Sequence, residues 1–495
     1  MISIDRDSGI PLVQQILDAI AQKIQRGILQ IGSRLPSVRE LARQAGVSTM
    51  TVTNAYARLV ADGYIQSKRA SGYYVSQYAT QGRRTYVART HVDSQWLIRR
   101  VFEDDASLVN AGAGWIPPEW LQTDAVRHAM AVLSRKRGTW LTRYGVPQGY
   151  LPLRQRIQRM LASRSIEAPP HQILLTQGAS HALALAARTI LQPGDTVLVD
   201  DPGAANLFEM LRAERVRMIG VERGIDGPDL GALQALAQRH RPTAFFVMST
   251  LHNPTGLSCS PSNAYQILQI AEQCGFHIIE NDTMAGLEPP GSISLASLDG
   301  LRRVTYVGGF SKVLSASLRV GFIAAGEAIV ERLVHAKMTH GLTSSEVNER
   351  LVAEVLADTH SQRQVSRLAQ RLAQAQAVVH AGLANVGIEV FGQPQGGVCL
   401  WARLPDSDAD AADTAQRALA AGLLLAPGHL FRPVQRPSPW LRFNAVYADN
   451  PQLYAFLKSE VGARKSQERA RPARTARATA TERLKSGGGK DGPSR

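Results

Sequence analysis

The sequence predicts an α/β protein in two parts: a small helical, winged unit first, then a large, mostly parallel sheet with helices on both faces. Three observations carry this. Residues 1 to 77 place apolar side chains at helical spacing and end in an alternating segment that contains a glycine. From 106 to 463, short apolar runs alternate with amphipathic stretches, the pattern of a parallel sheet covered on both sides. Within that region the run Val304 to Val307 leads into GGFSKVLSASLRVGF, which sets Lys312 and Arg319 seven residues apart beside glycine-rich backbone.

In chain order, Val13, Ile16, Leu17, Ile20 and Ile24 form one apolar helix face after Pro11, and Gly27 ends it. A loop follows. A short helix from Ser37 to Gln44 meets Ala45-Gly46-Val47-Ser48, and a third helix runs from Thr49 to about Asp62, with Ser48 suited to cap it. Two helices joined by a tight turn that contains Gly are a helix-turn-helix, whose second helix can enter a major groove. The alternating GYIQSKRASGYYV then reads as a two-stranded wing with Gly72 at its tip, carrying Lys68 and Arg69 toward a phosphate backbone.

These residues, GSRLPSVRELARQAGVSTMTVTNAYARLVADGYI above all, resemble the winged helix-turn-helix of the GntR family. The resemblance implies a double-stranded DNA partner. It puts Arg34, Ser37, Arg39, Ser48, Thr49, Thr51, Asn54, Tyr56 and Gly72 at or near DNA. Thr49 departs from the pattern, because many relatives carry Arg there, a residue suited to reading guanine. Residues 78 to 105 lack a clear period and read as a linker.

In the large region the predicted strands are Ile173 to Leu175, Thr196 to Val199, Ala244 to Met248, His277 to Ile279, Val304 to Val307 and Gly321 to Ala324. Ligands of such sheets bind at the carboxyl ends of strands. Five of these ends carry polar or glycine-rich turns: TQGASHAL, DDPGAANL, HNPTG, ENDTMAG and the Lys312 stretch. An amine and a guanidinium placed there suit a carbonyl and a phosphate, since a desolvated Lys forms Schiff bases and Arg presents a fixed fork to phosphate oxygens.

Together with YGVPQGYLPLR at 144–154, these turns resemble fold-type I pyridoxal-phosphate enzymes of the aminotransferase class. With the GntR-like unit in front, the whole resembles the MocR/GabR-type transcriptional regulators. The resemblance implies pyridoxal 5'-phosphate held as a Schiff base on Lys312, with Arg319 clamping its phosphate. It assigns further phosphate contacts to Ala179, Ser180 and Ser311, a ring-hydroxyl contact to Asn253, and a reach to the partner subunit's phosphate to Tyr144. Arg442 matches the arginine that holds a substrate carboxylate, so the expected effector is amino-acid-like or the cofactor itself. A homodimer through the large domain is implied as well.

Four cleft positions depart from that pattern. Asn281 stands where relatives place an acid that keeps the pyridine nitrogen protonated, and Asp282 beside it would need a bulge to substitute, because neighbouring strand residues face opposite ways. Met284 replaces a tyrosine, Ala204 an aromatic ring stacked on the pyridine, and Gly309 a hydroxyl residue on the phosphate. The expectation is a regulator first, with transaminase chemistry weakened by Asn281, Met284 and Ala204. An active aminotransferase with an accessory DNA module and a cofactor-free dimerisation scaffold stay open beside it.

Composition sets the outer bounds. The 495 residues are 44% hydrophobic and 20% charged, and no apolar run reaches the roughly 18 residues of a membrane span. The N-terminus has no secretory pattern, so a cytoplasmic protein is expected. Cys259, Cys274 and Cys399 lie in no metal-ligand spacing and are expected as buried thiols. GGVCLWARLP at 396–405 reads as a strand of a smaller α+β subdomain that ends by 463. Residues 464–495 form a basic tail; counted from Gly462, ten basic and three acidic residues supply about 7 of the net +15, a composition that buries no core, so a disordered tail is expected, which either adds non-specific DNA affinity or stays solvated with no partner.

Overall fold

The computed structural model describes residues 12–25, 29–30, 32–61, 64–68, 72–76, 96–97, 99–100, 107–405 and 410–463. The chain divides into two compact units, Met1–His91 and Val92–Arg495. Arg69, assigned to DNA above, and the 464–495 tail lie outside the described residues.

The first unit holds three helices, α1 (Leu12–Gln25), α2 (Val38–Ala45) and α3 (Thr49–Ala61), and an antiparallel hairpin of β1 (Ile65–Lys68) and β2 (Gly72–Val75). Ile16, Ile20 and Ile24 of α1 pack with Val52, Ala55, Tyr56 and Leu59 of α3, as the helical spacing predicts. Ser37 caps α2 by accepting from the Glu40 amide at 3.2 Å, and Gly46 closes it in the left-handed region. Gly72 pairs with Lys68 and opens β2, so it stands on a strand rather than at the tip expected for it.

The second unit is built on an eight-stranded sheet, in the order β3-β10-β9-β8-β7-β4-β5-β6. These are β3 (Ile173–Thr176), β4 (Thr196–Asp201), β5 (Arg217–Gly224), β6 (Gly227–Pro228), β7 (Ala244–Val247), β8 (His277–Asp282), β9 (Val304–Gly309) and β10 (Gly321–Ala324). The strands from β5 through β4, β7 and β8 to β9 are mutually parallel, whereas β10 runs antiparallel to both of its neighbours. β3, β4, β7, β8 and β9 therefore end on one edge, where the five turns were expected. Alternate residues feed two cores: Ile278 packs in one apolar cluster and Ile279 in the other, on opposite faces of β8.

A second sheet, in the order β11-β12-β14-β13, is antiparallel throughout and comprises β11 (Glu389–Val390), β12 (Cys399–Arg403), β13 (Ala426–Pro427) and β14 (Trp440–Asn444). Helix 451–463 closes the described part of this subdomain. Among the described residues no helix is long and apolar enough to cross a membrane.

Candidate functional site

The cleft begins where β3 turns into the helix Ala179–Ile190. Its N-cap, Gly178, makes no side-chain cap bond, so the positive end of the helix faces the turn with no capping oxygen in place. Gly178 has φ +82°, and a Cβ there would stand 2.7 Å from Arg319 Nη2, so this glycine lets the guanidinium lie against the helix start. Arg319 donates through Nη1 to Ser311 Oγ at 3.3 Å. Ala179 is half-buried and Ser180 exposed at that helix start. A Cβ on Gly309 would sit 3.4 Å from the Ala179 Cβ, so a side chain at this position would aim at the same spot. Here the glycine leaves it open.

Lys312 follows β9 and donates through Nζ to the Gly114 carbonyl at 2.6 Å. Burial pushes its ammonium down to about 8, and Arg442 and Arg319 push the same way against the Cys399 thiol. An amine in that range is available as a nucleophile.

Arg442, on β14, is 7% exposed. It donates through Nη1 to Asn253 Oδ1 at 3.0 Å and through Nη2 to the Gly112 carbonyl at 2.7 Å, while its Nε is buried with no partner. Gly112 reaches it because its backbone runs against β13: a Cβ there would lie 2.4 Å from the Ala426 nitrogen. The Cys399 thiol also meets Asn253 Oδ1, at 3.8 Å. Lys312, Arg442, Asn253 and Cys399 thus share one pocket of polar atoms. Cys399, read in the sequence only as a buried thiol, belongs to this pocket, and burial pushes that thiol up. Cys274, also expected to be buried, is partly exposed.

Asn281 is buried, and its Oδ1 has no hydrogen-bond partner. It shares strand parity with Ile279, whose cluster contains Ala204 and Val307 and packs against Ala179. Asn281 therefore faces the side of the sheet where the helix N-terminus lies.

Asp282 does not. β8 pairs with β9 in unbroken register through Asp282 and Gly308, with no bulge to turn it. Its Oδ2 accepts from Arg164 Nη2 at 2.7 Å and from the Tyr306 hydroxyl at 2.9 Å, and its Oδ1 from Thr250 at 3.0 Å. The assignment of Asp282 to the cofactor is corrected accordingly: its carboxylate is consumed by a buried network on the opposite face. Met284 is buried in that same opposite core. Ala204 precedes the helix Ala205–Ala213 and presents only a methyl group. Tyr144 is 81% exposed on this chain.

In the first unit, Ser48 Oγ accepts from the Thr51 amide at 3.0 Å and contacts the Thr51 hydroxyl at 2.7 Å, so both residues are engaged in starting α3. Arg34, Arg39, Thr49 and Asn54 are at least partly exposed. Tyr56 is corrected from the DNA face to the core: fully buried, it donates its hydroxyl to the Pro36 carbonyl at 2.8 Å and meets the Tyr73 ring edge-on. Sequence reading passed over Met50, 67% exposed in the first turn of α3 and one turn from Asn54. Its signal was an apolar residue on the helix face opposite the core.

A winged helix-turn-helix ahead of an aminotransferase-like α/β domain defines the class of protein. The chain belongs to the family "Aminotransferase class I and II", which matches residues 112–455, and carries at residues 12–75 a module of "Bacterial regulatory proteins, gntR family". The HTH-type transcriptional regulator TauR of Rhodobacter capsulatus is 30% identical over 85% of this chain and 89% of its own. The uncharacterized HTH-type transcriptional regulator YdcR of Escherichia coli is 28% identical over 88% of this chain and 95% of its own. Among solved structures, the α-aminoadipate aminotransferase LysN of Thermus thermophilus, complexed with N-(5'-phosphopyridoxyl)-L-leucine, superposes with TM-score 0.67 at 25% identity, covering 74% of this chain and 94% of that one.

Proposed function

We propose that this chain is a DNA-binding transcriptional regulator whose aminotransferase-like domain holds pyridoxal phosphate and senses an amino-acid-like carboxylate. The GntR-type module and relatives named as regulators along nearly their whole length support the first half. The cleft supports the second. One observation carries the sensor reading: Asn281, where the resemblance implies the ring-nitrogen acid, is a neutral amide with a vacant buried oxygen, and Asp282 is fully committed elsewhere.

The residues present fit the cofactor. The uncapped helix start, Gly178, Arg319 and Ser311 make a cradle for a phosphate. Lys312 offers an amine of lowered basicity to its carbonyl, and Asn253 lies within the same pocket for its ring oxygen. When bound, pyridoxal phosphate supplies an electron sink whose strength depends on protonation of its ring nitrogen. This chain's residues hold that sink without the acid that charges it. Arg442 offers a fork to a carboxylate, its Nε still unclaimed.

In the first unit, Thr49, Met50 and Asn54 form the exposed face of α3, and Arg34 and Arg39 add two cations to the same module. Asn suits adenine edges and an apolar side chain suits a thymine methyl. The large domain is the dimerising element in this reading, and the exposed Tyr144 is free to reach the partner subunit.

The lowered Lys312 ammonium favours a second reading, a working aminotransferase with an accessory DNA module. Borohydride reduction of the purified chain with pyridoxal phosphate, followed by peptide mapping, tests the shared element. The label is expected on Lys312; a label elsewhere, or none, refutes both readings.

A further inference from the structure

Arg442 has neighbours that the reading above does not use. On β14 it pairs directly with Trp401 of β12 and with Ala426 of β13, so all three side chains stand on one face of the small sheet. Its guanidinium lies over the Phe431 ring, 4.7 Å from the centroid. Phe431 in turn meets Trp401 edge-on at 5.4 Å. Both are buried in a cluster whose remaining wall includes Leu97, 6% exposed, with Trp96 packed against it.

The main chain of Phe431 ties in the other side of the cleft. Its carbonyl accepts from the Gly203 amide at 2.8 Å, and Arg432 forks onto Asp201 at 3.0 and 3.1 Å. Gly203 immediately precedes Ala204, in the turn that ends β4. Phe431 therefore links the carboxylate arginine and the turn that carries the missing ring stack, and it shares one apolar cluster with the segment by which the chain enters the large unit.

We propose that Phe431 is a positioning residue that couples Arg442 to the docked segment Trp96–Leu97, so that carboxylate capture changes how tightly the incoming chain is held. The physical step is local. A carboxylate that takes the guanidinium fork neutralises the cation over the ring and draws it away from Phe431, and close packing passes a ring displacement on to Trp401 and Leu97. By linkage, loosening Leu97 must weaken or strengthen carboxylate binding by the same factor. This inference rests on the ligand-sensing reading for its biological meaning, but the contact path stands without it.

The test is amide hydrogen exchange on the full-length chain, read on the peptide covering Trp96 to Arg100. In ligand-free protein, Arg442→Ala and Phe431→Leu are each expected to speed exchange there about fivefold or more, with β4 and β7 unchanged. The double variant should exchange no faster than the faster single one, because both changes break one path. In the wild type, pyridoxal phosphate with L-2-aminoadipate as probe should shift exchange at this peptide; Phe431→Leu should retain the cofactor absorbance and lose the shift. Leu97→Ala should change the probe's affinity without touching the cleft. Exchange within twofold of wild type in Arg442→Ala, or independent effects in the double variant, overturns the proposal. Absence of any cofactor absorbance in the wild type would refute the proposed function instead, leaving the ligand-free comparison to decide the coupling.

Discussion

The two halves of the cleft have fared differently. The half proposed to hold charge is largely kept, lacking only the hydroxyl that Gly309 omits: an uncapped helix start, Arg319 beside Gly178, Ser311, a Lys312 of lowered basicity, and Arg442 with a donor to spare. In the proposed reading the half assigned to ring electronics is stripped, with Asn281 where the resemblance implies an acid and Ala204 where it implies an aromatic ring, whereas Met284 lies in the opposite core. Binding and turnover draw on different residues, and only interactions stronger in the transition state accelerate a reaction. On the reading proposed above, a cleft that keeps one set and loses the other is built to be occupied.

Breaking the charged half should have the largest consequences. Lys312→Ala should abolish borohydride-stable labelling outright, measured by intact mass. Arg319→Ala removes charge-assisted bonds to phosphate, each about 1.5–3 kcal/mol, and should weaken cofactor affinity roughly ten- to a hundredfold in an absorbance titration. Arg442→Ala should weaken the carboxylate probe by a similar factor at unchanged cofactor affinity, and Arg442→Lys should not restore it, because the ammonium lacks the fork.

Repairing the stripped half sharpens the comparison from the other side. Asn281→Asp should raise the rate of amino-group transfer from a donor by about tenfold or more, equivalent to roughly 1.4 kcal/mol of barrier, in single-turnover absorbance measurements. No gain would mean that Asn281 does not face the ring. A smaller effect concerns pH. Because burial lowers the Lys312 ammonium to about 8, its neutral, reactive form rises as pH climbs through 8. The rate of labelling should therefore reach half-maximum near pH 8, and a half-maximum near the ordinary lysine value would remove the burial argument. Smallest of all, Ser48→Ala removes the α3 cap and should cost about 1 kcal/mol of stability, read as a lower unfolding midpoint of the first unit in chemical denaturation.

Much of this was legible in the sequence because it is local. Each of the five turns adjoins its own strand in the chain, so the residues at and just past the strand ends already included Lys312, Arg319, Gly178 and Asn281, the last of them still within β8. The helix-turn-helix was equally local, down to the cap at Ser48. What escaped depends on partners distant in sequence. Asp282 is satisfied by Arg164, Tyr306 and Thr250, which lie 118, 24 and 32 positions away, and no spacing rule reports such a triad. Tyr56 looks like any helix residue until its hydroxyl meets Pro36. Cys399 and Phe431 reach the cleft only because the small sheet folds its face toward the turns after β7 and β4. Local pattern names the chemistry, while tertiary contact decides which of two adjacent carboxylate or amide side chains can use it.

Whether this cleft binds without turning over can be read from a single experiment. The purified full-length chain, saturated with pyridoxal phosphate, is mixed with a panel of amino donors and a keto-acid acceptor while product and bound-cofactor absorbance are monitored. A bound cofactor on Lys312 and a donor-dependent spectral change that saturates at or below one equivalent are expected. Rapid conversion to the pyridoxamine form with multiple turnovers would contradict binding without turnover.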